Sequence, residues 1–138
     1  MKLIIAGPRD YTNYNTLLTA LKNFNYPITE IISGGATGVD LLGERYAREN
    51  NIPLRIFPAK WDDLKAKGAI IKRNKVGRLY NVNAGFARNE EMAAYADALL
   101  AIKVGYTPGT ADMISRAEKH NLLLCVYEVK DAASPVKK

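Results

Sequence analysis

Apolar residues gather in five short runs: Lys2–Ala6, Glu30–Ser33, Leu54–Phe57, Ala98–Ile102 and Leu122–Tyr127. Most are continuous rather than alternating, the pattern of parallel strands covered on both faces. Helical spacing fills the gaps. Asn15–Asn25 carries Leu17, Leu18, Leu21 and Phe24, and Gly38–Asn50 carries Val39, Leu42, Tyr46 and Ala47. Asn89–Tyr95 and Ala111–His120 complete the series, the last with Met113, Ile114 and Ala117. Strands alternating with helices predict right-handed βαβ crossovers and a single α/β domain over residues 1–130. The expected architecture is a doubly wound parallel sheet of about five strands with helices on both faces. Numbering the runs as they appear, the strand order is 3-2-1-4-5. The stretch from Pro58 to Phe86 has no clear period and exceeds an ordinary loop, so it is set apart as an insertion or lid over 58–86. Residues 131–138, with Ser134-Pro135 and two final lysines, are expected to form a flexible tail.

Three glycine-bearing segments follow apolar runs and precede helical patterns. They are Gly7-Pro8-Arg9-Asp10, Gly34-Gly35-Ala36-Thr37-Gly38-Val39-Asp40 and Gly105-Tyr106-Thr107-Pro108-Gly109-Thr110. In an open parallel sheet all three fall on the carboxyl edge, where ligands bind near the topological switch point. Glycine lets a phosphate approach the backbone closely, and free N–H groups at a helix amino terminus then point at the anion. Thr37 and Thr110 add hydroxyls. A single such loop is most often only a turn, but three on one edge make a pocket.

Individual residues carry two readings each. Asp40 and Asp112 sit in first turns of helices, where a carboxylate suits the macrodipole, or they accept from a ribose hydroxyl. Arg9 is either solvated or paired with a phosphate. Arg88 and Asn89 open a helix, and Asn89 is an N-cap or a ligand contact. Trp61 and Tyr106 offer faces for a nucleobase, while Trp61 equally suits anchoring the long segment to the core.

The composition, 48% hydrophobic and 25% charged, is that of a globular domain. Cys125, the single cysteine, excludes a disulfide framework and is expected to be a buried thiol in a reducing compartment. Met1–Ala6 is too short for a signal h-region, so the chain is read as cytoplasmic with no membrane role. One histidine, His120, and one cysteine leave no zinc set, and His120 is expected near a helix end. The net charge of +6 is concentrated. Lys60, Lys65, Lys67, Lys72, Arg73, Lys75 and Arg78 stand against Asp62 and Asp63, so residues 60–78 supply +5 of it. With Trp61 and Tyr80 interleaved, this segment is a candidate electrostatic and stacking surface for nucleic acid.

The glycine loop Gly34–Asp40, the segment Phe57-Pro58-Ala59-Lys60-Trp61, the motif Arg88-Asn89-Glu90-Glu91-Met92 and the stretch Gly109-Thr110-Ala111-Asp112-Met113 occur in this order. In them the chain resembles the YspA-like, cpYpsA-related branch of the SLOG superfamily, Rossmann-like domains related to DprA and to the LOG phosphoribohydrolases. The resemblance runs from Lys2 to about Val129. It implies a homo-oligomer that binds a nucleotide-derived ligand of the ADP-ribose, NAD-derived or nucleoside-phosphate type. Some relatives cleave an N-glycosidic bond. The enzymatic LOG loop carries a glutamate where this chain has Met113, so a phosphoribohydrolase activity would need another acid or base. Arg88, Asp40 and Asp112 are the candidates, and no further cofactor or metal is required. The expected function is nucleotide or nucleotide-derivative binding, with N-glycosidic hydrolysis as an added activity. The alternative is a DprA-like nucleic-acid-binding module.

Overall fold

The computed structural model describes residues 1–130, and the tail expected at 131–138 lies outside them. Strands β1 (Lys2–Ala6), β2 (Glu30–Ser33), β3 (Leu54–Ile56), β6 (Ala98–Val104) and β7 (Leu123–Val129) form one parallel sheet in the order β3-β2-β1-β6-β7. This is the order expected from the five runs, and the fold is Rossmann-like. Helices α1 (Tyr14–Lys22), α2 (Val39–Glu49), α3 (Ala84–Tyr95) and α4 (Pro108–Lys119) supply the crossovers.

The central strand explains the layering. Side chains alternate across a strand, so Leu3 and Ile5 of β1 join Leu17, Leu21, Val39 and Ala47 of α1 and α2. Ile4 and Ala6 instead join Met92, Ala93, Met113 and Ala117 of α3 and α4. Leu3, Ile4 and Ile5 are completely buried, and Ile4 lies in register with both Ile32 and Leu99. Burying one such aliphatic side chain contributes about 1.5–3 kcal/mol, so three consecutive ones make β1 the spine of the domain.

Three expectations are corrected. Helix α3 begins at Ala84 rather than Asn89, with Asn83 at the N-cap position, so Arg88 and Asn89 lie inside it and Asn89 is no N-cap. Gly85 hid this start, because a glycine in a helix interior reads as loop. It is there because the Trp61 ring packs against it: a Cβ on Gly85 would stand 2.9 Å from Trp61 Cη2. The long segment is not without regular structure either. Ile71–Arg73 (β4) and Leu79–Asn81 (β5) form an antiparallel hairpin. Asn74 builds its turn, Oδ1 accepting from the N–H of Val76 at 3.0 Å and of Arg78 at 2.9 Å. Cys125 is only partly buried, because β7 is an edge strand that pairs with β6 alone among the described residues. His120 does stand at a helix end, as the C-cap of α4, with Nε2 2.8 Å from Glu90 Oε2.

Candidate ligand-binding site

All three glycine loops leave the carboxyl ends of their strands on one edge of the sheet. A cleft of about 610 Å³ opens there. The β1–α1 loop contributes Gly7, Pro8, Arg9 and Asp10 to it, and Thr107 lines it together with Pro108, Gly109 and Thr110 of the first turn of α4. Helix α2 adds Asp40, α3 adds Arg88, Asn89 and Met92, and Met113 of α4 completes the lining. An adjoining recess of about 370 Å³ is bounded by Gly34, Gly35, Ala36, Thr37 and Trp61, and it shares Arg9 and Arg88 with the cleft.

The first two loops are locked back to back. Gly38 has φ +71°, and a Cβ there would meet Pro8 O at 2.4 Å, so only glycine allows the approach. The N–H of Val39 donates to Pro8 O at 3.2 Å, and Thr37 Oγ1 donates to Arg9 O at 2.9 Å. The hydroxyl hydrogen of Thr37 is thus spent inside the protein.

The second loop also spends two of its backbone donors internally. Gly35 N–H donates to Ser33 Oγ at 3.0 Å, and Ala36 N–H donates to Asp40 Oδ2 at 3.1 Å. Ser33 Oγ in turn donates to Glu44 Oε2 at 2.7 Å. Ser33 and Glu44 were not singled out from the sequence. The available signal was the acidic pair Asp40 and Glu44 on the buried stripe of α2 with Val39, Gly43 and Ala47.

Donors remain at α4. Its N-cap Thr107 makes no side-chain cap bond and Pro108 has no N–H, so the N–H groups of Gly109 and Thr110 have no partner within the helix. A Cβ on Gly109 would meet nothing within 4 Å, which leaves room beside that backbone.

Arg88 and Asp40 meet above Gly34. Arg88 Nη1 donates to Gly34 O, and Nε donates to Asn89 Oδ1 at 3.1 Å. A Cβ on Gly34 would lie 2.6 Å from Arg88 Nη1 and 2.9 Å from Asp40 Oδ2. Burial pushes the Asp40 carboxyl up from 3.8 to about 6, against the Ala36 N–H and the Arg88 charge, which favour its ionised form. Burial likewise lowers Arg88, with Asp40 opposing.

Two predicted residues lie elsewhere. Asp112 accepts from Arg116 Nε at 2.8 Å and from Asn89 Nδ2 at 3.0 Å, so it ties α3 to α4 outside the cleft lining. Tyr106 is 76% exposed and borders neither recess. Trp61 does two things, anchoring on Gly85 and walling the smaller recess. Among the described residues no helix is long and apolar enough to cross a membrane.

The Rossmann-like sheet thus carries, on the carboxyl edge where ligands of such sheets bind, a cleft lined by two arginines, Arg9 and Arg88, and two aspartates, Asp10 and Asp40. The family model described as YspA, cpYpsA-related SLOG family matches residues 1–63, and it bears out the resemblance to the YspA-like SLOG branch. Comparison with curated proteins and with solved structures gave no match.

Proposed function

We propose that the chain binds a nucleotide or nucleotide-derived ligand in the 610 Å³ cleft. The observation that carries this reading is the convergence of the helix-terminal N–H groups of Gly109 and Thr110 with the guanidinium groups of Arg9 and Arg88 on one cavity. Helix-terminal N–H groups and arginine are the groups that hold phosphate. The ligand phosphate lies at the α4 terminus, and the second oxygen of Asp40 accepts from a ribose hydroxyl. The base extends toward Trp61. Mass spectrometry of small molecules released by denaturing the purified protein tests this. A nucleotide-derived ion supports it, and isothermal titration with nucleotides that shows no binding refutes it.

One observation favours an added N-glycosidic hydrolysis. A carboxyl near 6 exchanges a proton readily at neutral pH, and Asp40 is the acid in the cleft lining with that property. Asp112 is engaged with Arg116, and Met113 is packed in the core, so neither supplies the missing acid. The nucleic-acid reading has less support. Lys72 and Arg73 are consecutive in β4 and point to opposite faces of the hairpin, which splits the basic segment rather than lining it up.

A further inference from the structure

Arg9 borders three cavities, not two. Beyond the cleft and the Trp61 recess lies a third hollow of about 380 Å³, bounded by Arg9, Trp61, Asp62, Asn74, Arg78 and Tyr80. The β4–β5 hairpin supplies Asn74, Arg78 and Tyr80, and the segment that follows β3 supplies Trp61 and Asp62. Resting on the nucleotide reading above, we propose that this hollow is a second subsite for a flat heteroaromatic ring. The ligand is then elongated, with a ring-bearing group on each side of an anionic middle held by Arg9.

The walls have the chemistry for a ring. Trp61 and Tyr80 stand edge to face with centroids 6.4 Å apart, and their faces accept a planar heterocycle. Asn74 Oδ1 is occupied by the N–H groups of Val76 and Arg78, which fixes the amide so that Nδ2 is the end left to donate. Arg78 and Asp62 pair at 3.3 Å with side chains 71% and 79% exposed. Such an exposed pair opens at little cost, giving a donor and an acceptor to the polar edge of a ring. The hairpin is held in place by main-chain bonds: Asn81 N–H donates to Trp61 O, and Val82 N–H donates to Ile70 O, both at 2.7 Å. Trp61 and Arg9 border both this hollow and the inner recess, so the two adjoin.

The test compares ADP with diadenosine diphosphate, which carries a diphosphate with a ring at each end, by isothermal titration on the intact chain. The two-ring probe is expected to bind about tenfold more tightly, and Tyr80→Leu or Arg78→Gln to remove most of that advantage while changing ADP affinity less than about twofold. Equal affinity of the parent protein for the two probes overturns the proposal and leaves the nucleotide reading standing. So does a Tyr80→Leu loss of the same size for both, with circular dichroism confirming that the variant is folded. If the parent binds neither probe, the nucleotide reading fails and this inference with it. An oligothymidylate that binds more tightly than the two-ring probe and weakens in Tyr80→Leu makes the hollow part of a strand track, and also overturns it.

Discussion

Asp40 lies at the junction of stability and function, and replacing it with asparagine separates the two. The carboxyl is 7% exposed, and its folded value of about 6 exceeds its ordinary 3.8. Because the folded state holds this proton to higher pH than the unfolded chain does, the folded protein binds more protons between about pH 4 and pH 6. Stability contributed by the group therefore falls as pH rises through that window, and the full penalty applies above it. A shift of roughly two units corresponds to about 3 kcal/mol. The amide introduced by Asp40→Asn would keep an oxygen for the Ala36 N–H, now 3.1 Å from Asp40 Oδ2, without the buried charge. Asp40→Asn is thus expected to equal the parent in stability near pH 4 and to exceed it by up to about 3 kcal/mol at pH 7. Urea unfolding followed by circular dichroism from pH 4 to 7.5 measures this, and subtracting the two curves removes titrating groups common to both proteins. A difference that is flat with pH would show that Arg88 and the Ala36 N–H cancel burial, and one that favours the parent as pH rises that they outweigh it. The same variant should bind nucleotide more weakly at pH 7, since an amide oxygen accepts a ribose hydroxyl less strongly than a carboxylate.

Gly34→Ala places a methyl 2.6 Å from Arg88 Nη1 and should push the guanidinium out of the cleft; nucleotide affinity falls about tenfold or more by titration while the fold survives. Asn89→Ala removes the bonds from Nδ2 to Asp112 and to Gly109 O, and should cost about 1–3 kcal/mol in urea unfolding, because Asp112 stays half-buried without its Asn89 partner. None of Lys72, Arg73 and Lys75 bounds the cleft, so replacing all three with Gln should change nucleotide affinity less than about twofold. Fluorescence anisotropy with a single-stranded oligonucleotide checks the rival, which requires a marked loss and a shallower salt slope in that triple variant.

The sheet was legible because its strands are continuous apolar runs flanked by helical spacing, and Leu3-Ile4-Ile5 needs cover on both faces in any fold. The edge that carries the cleft followed from strand order alone. Local competition hid the rest. Gly85 marks a loop by propensity and a helix by its contact with Trp61, a partner 24 positions earlier that no local pattern reveals. The hairpin strands are three residues each, too short to show alternation, though Asn74 and Gly77 between two β-prone stretches were a usable turn signal. Which backbone donors stay free also escaped the sequence. Both the Gly34–Gly38 loop and the Gly109 loop carry glycine before a helix, yet in the first Ser33 and Asp40 consume the N–H groups of Gly35 and Ala36.

The most direct measurement is a titration of ¹⁵N-labelled protein with ADP, followed by proton–nitrogen correlation spectra. Saturable shifts of the Gly109, Thr110 and Arg9 amides, with smaller changes at Lys65, Lys67 and Lys75, are the result expected from a phosphate seated at the α4 terminus. No saturable shift at these amides, or shifts confined to residues 60–78, would contradict the account.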